Sequence, residues 1–150
     1  MPVNRTAQKA KVLETAMDPN WTLTIAGATT VRLTRAELAA LPQHTVDLPI
    51  SCVEGWSQMA RWSGPRLKDL IDLVGGSADA TIQATSLEKG SIYAVMQMPP
   101  NFVRDDLTLV ALRLNGSELD IDHGFPARMI APARPGVLQT KWLSSIEVLA

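Results

Sequence analysis

Short apolar segments that end at turn residues recur along this sequence and restrict the chain to a fold built mainly of short strands. Residues 21–25 alternate apolar and polar side chains, the pattern of a strand, and are followed closely by Gly27. Residues 46–50 form a second apolar run, and the pair Asn115-Gly116 is typical of a tight hairpin turn. Further strands are predicted over residues 81–87, 91–96, 107–114 and 142–149. We therefore expect an α+β fold with mixed, predominantly β structure and a few short helices.

Helices are predicted where the apolar spacing changes from strand to helix periodicity. Thr34 is a suitable N-cap, and a glutamate three residues later completes a capping box, so a short helix is expected to run until Pro42. Residues 67–74 carry apolar side chains at helical spacing and precede a glycine pair, which predicts a second helix. Within residues 1–20 we expect an extended arm followed by one amphipathic helix over residues 7–17.

The composition of the chain limits how many domains it can form and which partners it can bind. The 150 residues, 46% of them hydrophobic, are enough for one sizeable core, so residues 1–150 are expected to form a single domain. A formal net charge of -1 gives no overall basic field, so nucleic acid is not an expected partner. The single cysteine excludes an internal disulfide framework and any multi-cysteine metal site. No segment resembles a signal peptide or approaches the roughly 20 apolar residues of a membrane span, so the chain as given is expected to be a soluble domain.

Cys52 lies in the segment 51–57, Ser-Cys-Val-Glu-Gly-Trp-Ser. A lone cysteine is most often a small buried hydrophobe. A second interpretation is a nucleophilic thiol, with His44 or His123 as its base. A third is a metal ligand, because thiolates prefer soft or high-valent metals and the small neighbours of Cys52 leave room for a bulky group.

Two downstream segments carry basic side chains among glycines and prolines. Residues 123–128 read His-Gly-Phe-Pro-Ala-Arg, and residues 136–142 read Gly-Val-Leu-Gln-Thr-Lys-Trp. Taken alone, His123 and Arg128 are interpreted as solvated side chains in a loop beside a proline turn. The functional interpretation is an anion site, since the planar fork of arginine suits bidentate contact with phosphate oxygens.

The cysteine segment and the two basic segments together resemble, in order and spacing, the molybdopterin-binding oxidoreductase domain of the sulfite oxidase family. In that family the single protein ligand to molybdenum is a cysteine at the end of a strand, in a loop that often reads Cys-x-Glu-Gly-Trp in bacterial members. A His-Gly-x-Pro-x-Arg segment holds the pterin and its phosphate. The resemblance implies that Cys52 is the catalytic metal ligand and that His123 and Arg128 bind the cofactor.

The same resemblance implies cofactor contacts in the last basic segment and at Ser86. Lys141 stands where the family has a lysine before tryptophan, and Gln139 and Thr140 would offer backbone N–H groups beside its ammonium group. Ser86 stands where bacterial members place a hydroxyl near the pterin; its alternative is an ordinary strand serine.

The N-terminal arm also carries a resemblance. Asn4 and Arg5 resemble the Arg-Asn segment with which family members begin their cofactor domain, and their alternative is a disordered terminus. The tryptophans Trp56, Trp62 and Trp142 are expected to pack the core around the site.

What the resemblance implies about function is a molybdenum-molybdopterin (Moco) oxidoreductase of the sulfite oxidase type. We expect two-electron oxygen-atom transfer on a small substrate, either sulfite-like or an S- or N-oxide. The alternative is a non-catalytic binding or electron-transfer module that keeps the fold without the cofactor. Arg61, Arg104 and Arg134 are candidate rim cations for an oxyanion substrate, or else solvated surface charges.

Short bacterial members with these segments are similar to the soluble end of membrane-anchored proteins that have a cytochrome-like helical portion. The chain is therefore expected to be either a complete domain or the soluble part of a longer protein. The partners implied are a small-molecule substrate and an electron-transfer partner, for example a haem-containing membrane portion. The native protein is expected to be membrane-associated or extracytoplasmic, and otherwise cytoplasmic.

Overall fold

A computed structural model describes residues 5–51, 57–134 and 139–149 of the chain. Within these ranges, no helix is both long and apolar enough to cross a membrane. The strands are β1 (Thr22–Ala26), β2 (Thr30–Thr34), β3 (His44–Ser51), β4 (Ser57–Gly64), β5 (Thr81–Ser86), β6 (Val95–Met98), β7 (Leu109–Ala111), β8 (Arg113–Leu114), β9 (Ser117–Glu118), β10 (Arg128–Ile130) and β11 (Leu143–Leu149). The helices are α1 (Ala7–Ala10), α2 (Leu13–Ala16), α3 (Arg35–Ala40), α4 (Leu67–Leu73), α5 (Pro100–Val103) and a 3₁₀ turn, Ile121–His123.

The strands form three sheets. The largest has the order β2-β1-β11-β5-β6, in which β1 and β11 are parallel and the other neighbours antiparallel. A four-stranded sheet has the order β3-β4-β8-β9, and β7 pairs with β10 in a two-stranded sheet. Mixed sheets with a few short helices confirm the expected α+β fold.

Local sequence signals are confirmed at several elements. Thr34 accepts a hydrogen bond from the Glu37 N–H, and the Glu37 side chain accepts one from the Thr34 N–H, so α3 begins with a complete capping box. Asn115 and Gly116 have φ angles of 53° and 81° between β8 and β9. Positive φ at both central residues is the requirement of a type I′ turn, one of the two common two-residue hairpin turns.

The prediction of one helix over residues 7–17 is wrong. The chain forms two short helices, because Lys11 adopts the left-handed conformation at φ 61° and its N–H bonds back to the first helix. The break lets Ala7, Val12 and Ala16 all turn inward, and each is at most 1% exposed. The residues before Arg5, including Asn4, lie outside the described part of the chain.

Two strand predictions also differ from the structure. Ser91 begins a turn, in which its carbonyl accepts from the Ala94 N–H, so β6 starts only at Val95. The predicted strand over 107–114 divides at Leu112, where the chain passes from the sheet with β10 to the sheet with β4. The Leu112 N–H donates to the carbonyl of Ser63 at 2.8 Å, which keeps its backbone paired during the crossing.

The largest core cluster lies between the five-stranded sheet and α3 and α4. Leu70 and Ile71 of α4 are fully buried in it, and burying each stabilises the fold by about 1.5–3 kcal/mol. A second cluster, which contains Trp62, supports the four-stranded sheet. A third joins α1 and α2 to Trp142, so the N-terminal helices cover the segment that enters β11.

Candidate anion and cofactor site

The segment 139–142 lies between β10 and the end of β5, and this arrangement positions the candidate site. The Met129 N–H of β10 donates to the Thr140 carbonyl at 2.8 Å, and the Leu87 N–H donates to the Trp142 carbonyl at 2.7 Å. The predicted site residues that the structure describes gather on these backbones: Arg5, Ser86, His123, Arg128, Gln139, Thr140 and Lys141. Cys52 and Asn4 lie outside the described residues.

Arg128 is a buried cation, which corrects its interpretation as a solvated loop side chain. It begins β10 and is only 8% exposed. Its guanidinium donates to the carbonyls of His123 at 3.2 Å and Gln139 at 3.4 Å, and it lies 4.7 Å from the centre of the Trp62 ring. Burial lowers the pKa of Arg128 from its ordinary value to about 10. No carboxylate of the described residues forms an ion pair with it, so its charge remains available to an anion.

His123 is buried as well, at 5% exposure, which corrects the solvated interpretation for this side chain too. Asp120 caps the 3₁₀ turn by accepting from the His123 N–H, and its carboxylate lies 2.7 Å from His123 Nδ1. Partial burial alone would raise the pKa of Asp120, but the hydrogen bonds and charge of His123 lower it below the ordinary value. The carboxylate therefore fixes the orientation of the imidazole ring.

Lys141 is the second cation of the site, and it is partly buried. Its Nζ donates to the carbonyls of Arg5 at 2.9 Å and Asp122 at 2.8 Å. Burial, assisted by the charge of Arg128, lowers the pKa of Lys141 from 10.5 to about 8, against the opposing effect of nearby carboxylates. The charge of Arg128 disfavours the protonated form of Lys141, and an anion bound near both side chains would oppose that effect.

The N-terminal arm is attached to this site rather than disordered at Arg5. Arg5 forms an ion pair of 2.5 Å with Glu88, whose side chain is 7% exposed. The Ala7 N–H donates to the carboxylate of Asp122 at 2.9 Å. Ser86 is also buried here; its hydroxyl donates to the Lys141 carbonyl at 2.8 Å and accepts from the Glu88 N–H. Ser86 therefore has a structural role in holding the Lys141 backbone.

Gln139 and Thr140 contribute in different ways. The Gln139 side chain bridges the loop before it, accepting from the Ala131 N–H at 2.9 Å and donating to the Arg134 carbonyl at 3.0 Å. Thr140 is 5% exposed, and its hydroxyl has no hydrogen-bond partner among the described residues. A buried hydroxyl without a partner costs about 1–3 kcal/mol, so this one, on the residue before Lys141, is a candidate hydrogen-bond donor to a polar ligand.

The three candidate rim cations have protein partners. Arg61 pairs with Asp47 on the outer surface of the β3–β4 hairpin. Arg104 forms an ion pair of 2.7 Å with Asp72. Arg134 donates to the Gln97 carbonyl and lies over the Phe102 ring, close in sequence to the loop that Gln139 bridges.

Sequence reasoning missed the acidic members of the site. Asp120, Asp122 and Glu88 each hold a basic site group or the backbone next to one. For Asp120 a signal was present, because an aspartate three residues before His123 is a typical helix N-cap. Glu88 and Asp122 gave no local signal, since their partners are distant in sequence.

Comparison with known proteins defines the class of this domain. The family described as the oxidoreductase molybdopterin binding domain matches residues 9–150. The chain is 33% identical over 151 residues to mitochondrial sulfite oxidase of Drosophila melanogaster, covering 81% of this chain and 26% of the relative. It is 29% identical over 112 residues to a putative protein-methionine-sulfoxide reductase subunit of Azospira oryzae, covering 75% of this chain and 42% of the relative. This chain belongs to the oxidoreductase molybdopterin-binding domain family.

A solved structure shares the fold. The sulfane dehydrogenase SoxCD from Paracoccus pantotrophus superposes with a TM-score of 0.76 at 21% identity, covering 87% of this chain and 38% of that chain. The chain thus spans about a quarter to two fifths of these relatives. The structural similarity establishes a sulfite-oxidase-type fold, and the domain family rests on the family match over residues 9–150.

Proposed function

We propose that this domain binds Moco and catalyses two-electron oxygen-atom transfer to or from a small substrate. The observation that carries the proposal is a pair of cations, the buried Arg128 and the partly buried Lys141, which form no ion pair with a carboxylate of the described residues. Thr140, whose buried hydroxyl has no hydrogen-bond partner among those residues, directly precedes Lys141 in the chain. Burying two cations together is unfavourable unless an anion compensates them. The phosphate of a pterin cofactor is such an anion.

The residues assigned to the cofactor follow from the family's segments and the geometry of the site. Cys52 is assigned as the thiolate ligand of molybdenum, on the sequence pattern alone. The remaining assignments are Arg128 and Lys141 to the phosphate, with Asn4, Arg5, Ser86, His123, Gln139 and Thr140 lining the cofactor. When bound, Moco supplies a metal centre that exchanges one oxygen atom and two electrons with the substrate.

The protein's own contribution is to hold and orient the cofactor. Arg128 offers a planar set of donors, and Lys141 offers an ammonium group whose protonated form an anion would favour. Asp120 keeps the His123 ring in one orientation, and the Thr140 hydroxyl supplies a hydrogen bond that no described group satisfies. The ion pair between Arg5 and Glu88 holds the arm against this surface.

The substrate class is proposed from the relatives. The names sulfite oxidase and putative protein-methionine-sulfoxide reductase subunit both describe oxygen transfer at sulfur. We assign this chain a sulfite-like or S- or N-oxide substrate and an external electron carrier, such as a haem protein. A membrane-associated or extracytoplasmic site of action is part of the same proposal.

The test is expression in a host that makes Moco, followed by measurement of molybdenum and pterin per protein. Near-stoichiometric metal and pterin in the wild type, with turnover of sulfite or of an S- or N-oxide using an artificial electron carrier, supports the proposal. Metal and pterin without turnover of any of these would leave the domain as a cofactor-binding module. Wild type that contains neither metal nor pterin contradicts the proposal and favours a binding module without cofactor.

A further inference from the structure

Trp62 is the aromatic residue that lies against the cofactor-site arginine. It belongs to β4, is 1% exposed, and pairs in register with Val46 of β3. Its indole N–H donates to the Leu48 carbonyl at 3.3 Å. The ring is thus held by both strands of the β3–β4 hairpin, whose strands are joined by the segment that contains Cys52.

The other contacts of Arg128 indicate why the Trp62 ring matters for its orientation. Its guanidinium donates to the carbonyls of His123, Gln139 and Met129 at 3.2–3.4 Å, which is long for a charged donor. Such contacts leave the plane of the guanidinium loosely defined. The indole face, 4.7 Å from the guanidinium carbon, is within the range in which a cation is attracted to the ring.

The stem of Arg128 is confined on another side by Gly124. A Cβ at Gly124 would lie 2.9 Å from the Arg128 Cβ and 3.2 Å from its Cδ. The arginine therefore passes through a gap that a glycine leaves open and ends on an aromatic surface. The glycine and the aromatic ring together favour one orientation of the guanidinium.

We propose that Trp62 is a positioning residue for the cofactor: its ring fixes the plane of the Arg128 guanidinium so that two N–H groups face one phosphate. This role rests on the proposed function of the domain. Three of the five N–H groups of Arg128 donate to carbonyls, and stacking on an aromatic face leaves the other two free, whereas a carboxylate partner would occupy them. The ring thus stabilises the buried charge without competing with the anion.

The experiment compares retention of the cofactor in holoprotein variants. Wild type, Trp62→Phe and Trp62→Leu are produced in a host that makes Moco and dialysed against rising inorganic phosphate, and the pterin retained is measured. Leu109→Ala is the matched control, because Leu109 is fully buried in the same cluster as Trp62. The free energy of unfolding of each variant is measured in parallel.

Trp62→Phe, which keeps an aromatic face, is expected to retain pterin nearly as well as wild type. Trp62→Leu should release it at a phosphate concentration roughly three- to thirtyfold lower, the range of a desolvated cation–aromatic contact. Leu109→Ala should lower stability and leave retention unchanged. Retention by Trp62→Leu equal to wild type, or an equal loss in Leu109→Ala, overturns the positioning role.

If Trp62→Leu does not fold, replacement of all tryptophans by 5-fluorotryptophan takes its place, since fluorine weakens the negative ring face with little change of shape. Fluorination should lower retention in wild type and leave Trp62→Phe unchanged. Equal effects in both proteins overturn the role. A wild type without metal and pterin overturns the proposed function, and the positioning role with it.

Discussion

Lys141 Nζ donates a 2.9 Å hydrogen bond to the carbonyl oxygen of Arg5, a residue 136 positions earlier in the chain. The same ammonium group donates to the Asp122 carbonyl at 2.8 Å. One partly buried lysine therefore joins the N-terminal arm to the turn that carries His123. The arm, the turn and the segment before β11 behave as parts of one site.

The pKa of Lys141 predicts a pH dependence of stability. Because burial lowers this pKa from 10.5 to about 8, the folded state binds fewer protons than the unfolded state between these values. The free energy of unfolding of the cofactor-free protein should therefore gain a rising contribution between about pH 8 and pH 10.5. Lys141→Met should remove it, as measured by urea unfolding across this range. Identical pH profiles for the two proteins would contradict the lowered pKa.

Gly124 predicts a steric effect at Arg128. Gly124→Ala combines a φ of 118° with a Cβ placed 2.9 Å from the Arg128 side chain, so it should cost about 2–4 kcal/mol of unfolding free energy. Gly90→Ala is the control, because its φ is 82° but nothing lies within 4 Å of the added Cβ. It should cost about 1 kcal/mol, from backbone strain alone. Equal costs in denaturant unfolding would show that the contact with Arg128 has no effect.

The Thr140 hydroxyl predicts opposite effects on the empty and loaded protein. Thr140→Val removes a buried group without a described partner, so the cofactor-free protein should be unchanged or more stable by up to about 2 kcal/mol. The loaded variant should retain less pterin. Thr108→Val is the control, because the Thr108 hydroxyl donates to the Phe102 carbonyl at 2.7 Å, and its loss should destabilise the empty protein. If Thr140→Val instead destabilises the cofactor-free protein, the Thr140 hydroxyl has a hydrogen-bond partner in that state, which contradicts the prediction.

The Arg5–Glu88 ion pair predicts a measurable coupling. Glu88 is almost fully buried while Arg5 is half exposed, so a double-mutant cycle with alanine should give a coupling of about 0.5–2 kcal/mol. The exposed pair Arg61–Asp47 is the matched control and should give no measurable coupling in 0.5 M salt. A coupling that is absent in the first cycle would mean that the arm is not held by this ion pair.

Much of the fold could be predicted from sequence because its signals are local. The capping box at Thr34, the Asn115-Gly116 turn and the apolar face of α4 each depend on neighbouring residues, and each appears as expected. The failures have non-local causes. Lys11 breaks the first helix so that both halves can bury apolar side chains against Trp142, and Leu112 crosses between sheets.

For the candidate site, too, local features could be predicted from the sequence and non-local contacts could not. The pattern of basic residues singled out Arg128 and Lys141, but their exposure could not be predicted from it: Arg128 is buried and Lys141 is partly buried. The partners of the basic residues come from other parts of the chain: Glu88 reaches Arg5, and Trp62 reaches Arg128 from a different sheet. Such contacts depend on tertiary packing, which local sequence does not encode.

The most direct measurement of the central claim is X-ray absorption at the molybdenum edge on wild type and Cys52→Ser purified from a host that makes Moco. We expect both proteins to contain pterin, and wild-type molybdenum to have one more sulfur neighbour than molybdenum in Cys52→Ser. Pterin retention is expected in Cys52→Ser because the proposed phosphate contacts of Arg128 and Lys141 do not involve the thiolate. Identical sulfur shells in the two proteins, or a wild type without molybdenum, would contradict the assignment of Cys52 and the proposed function.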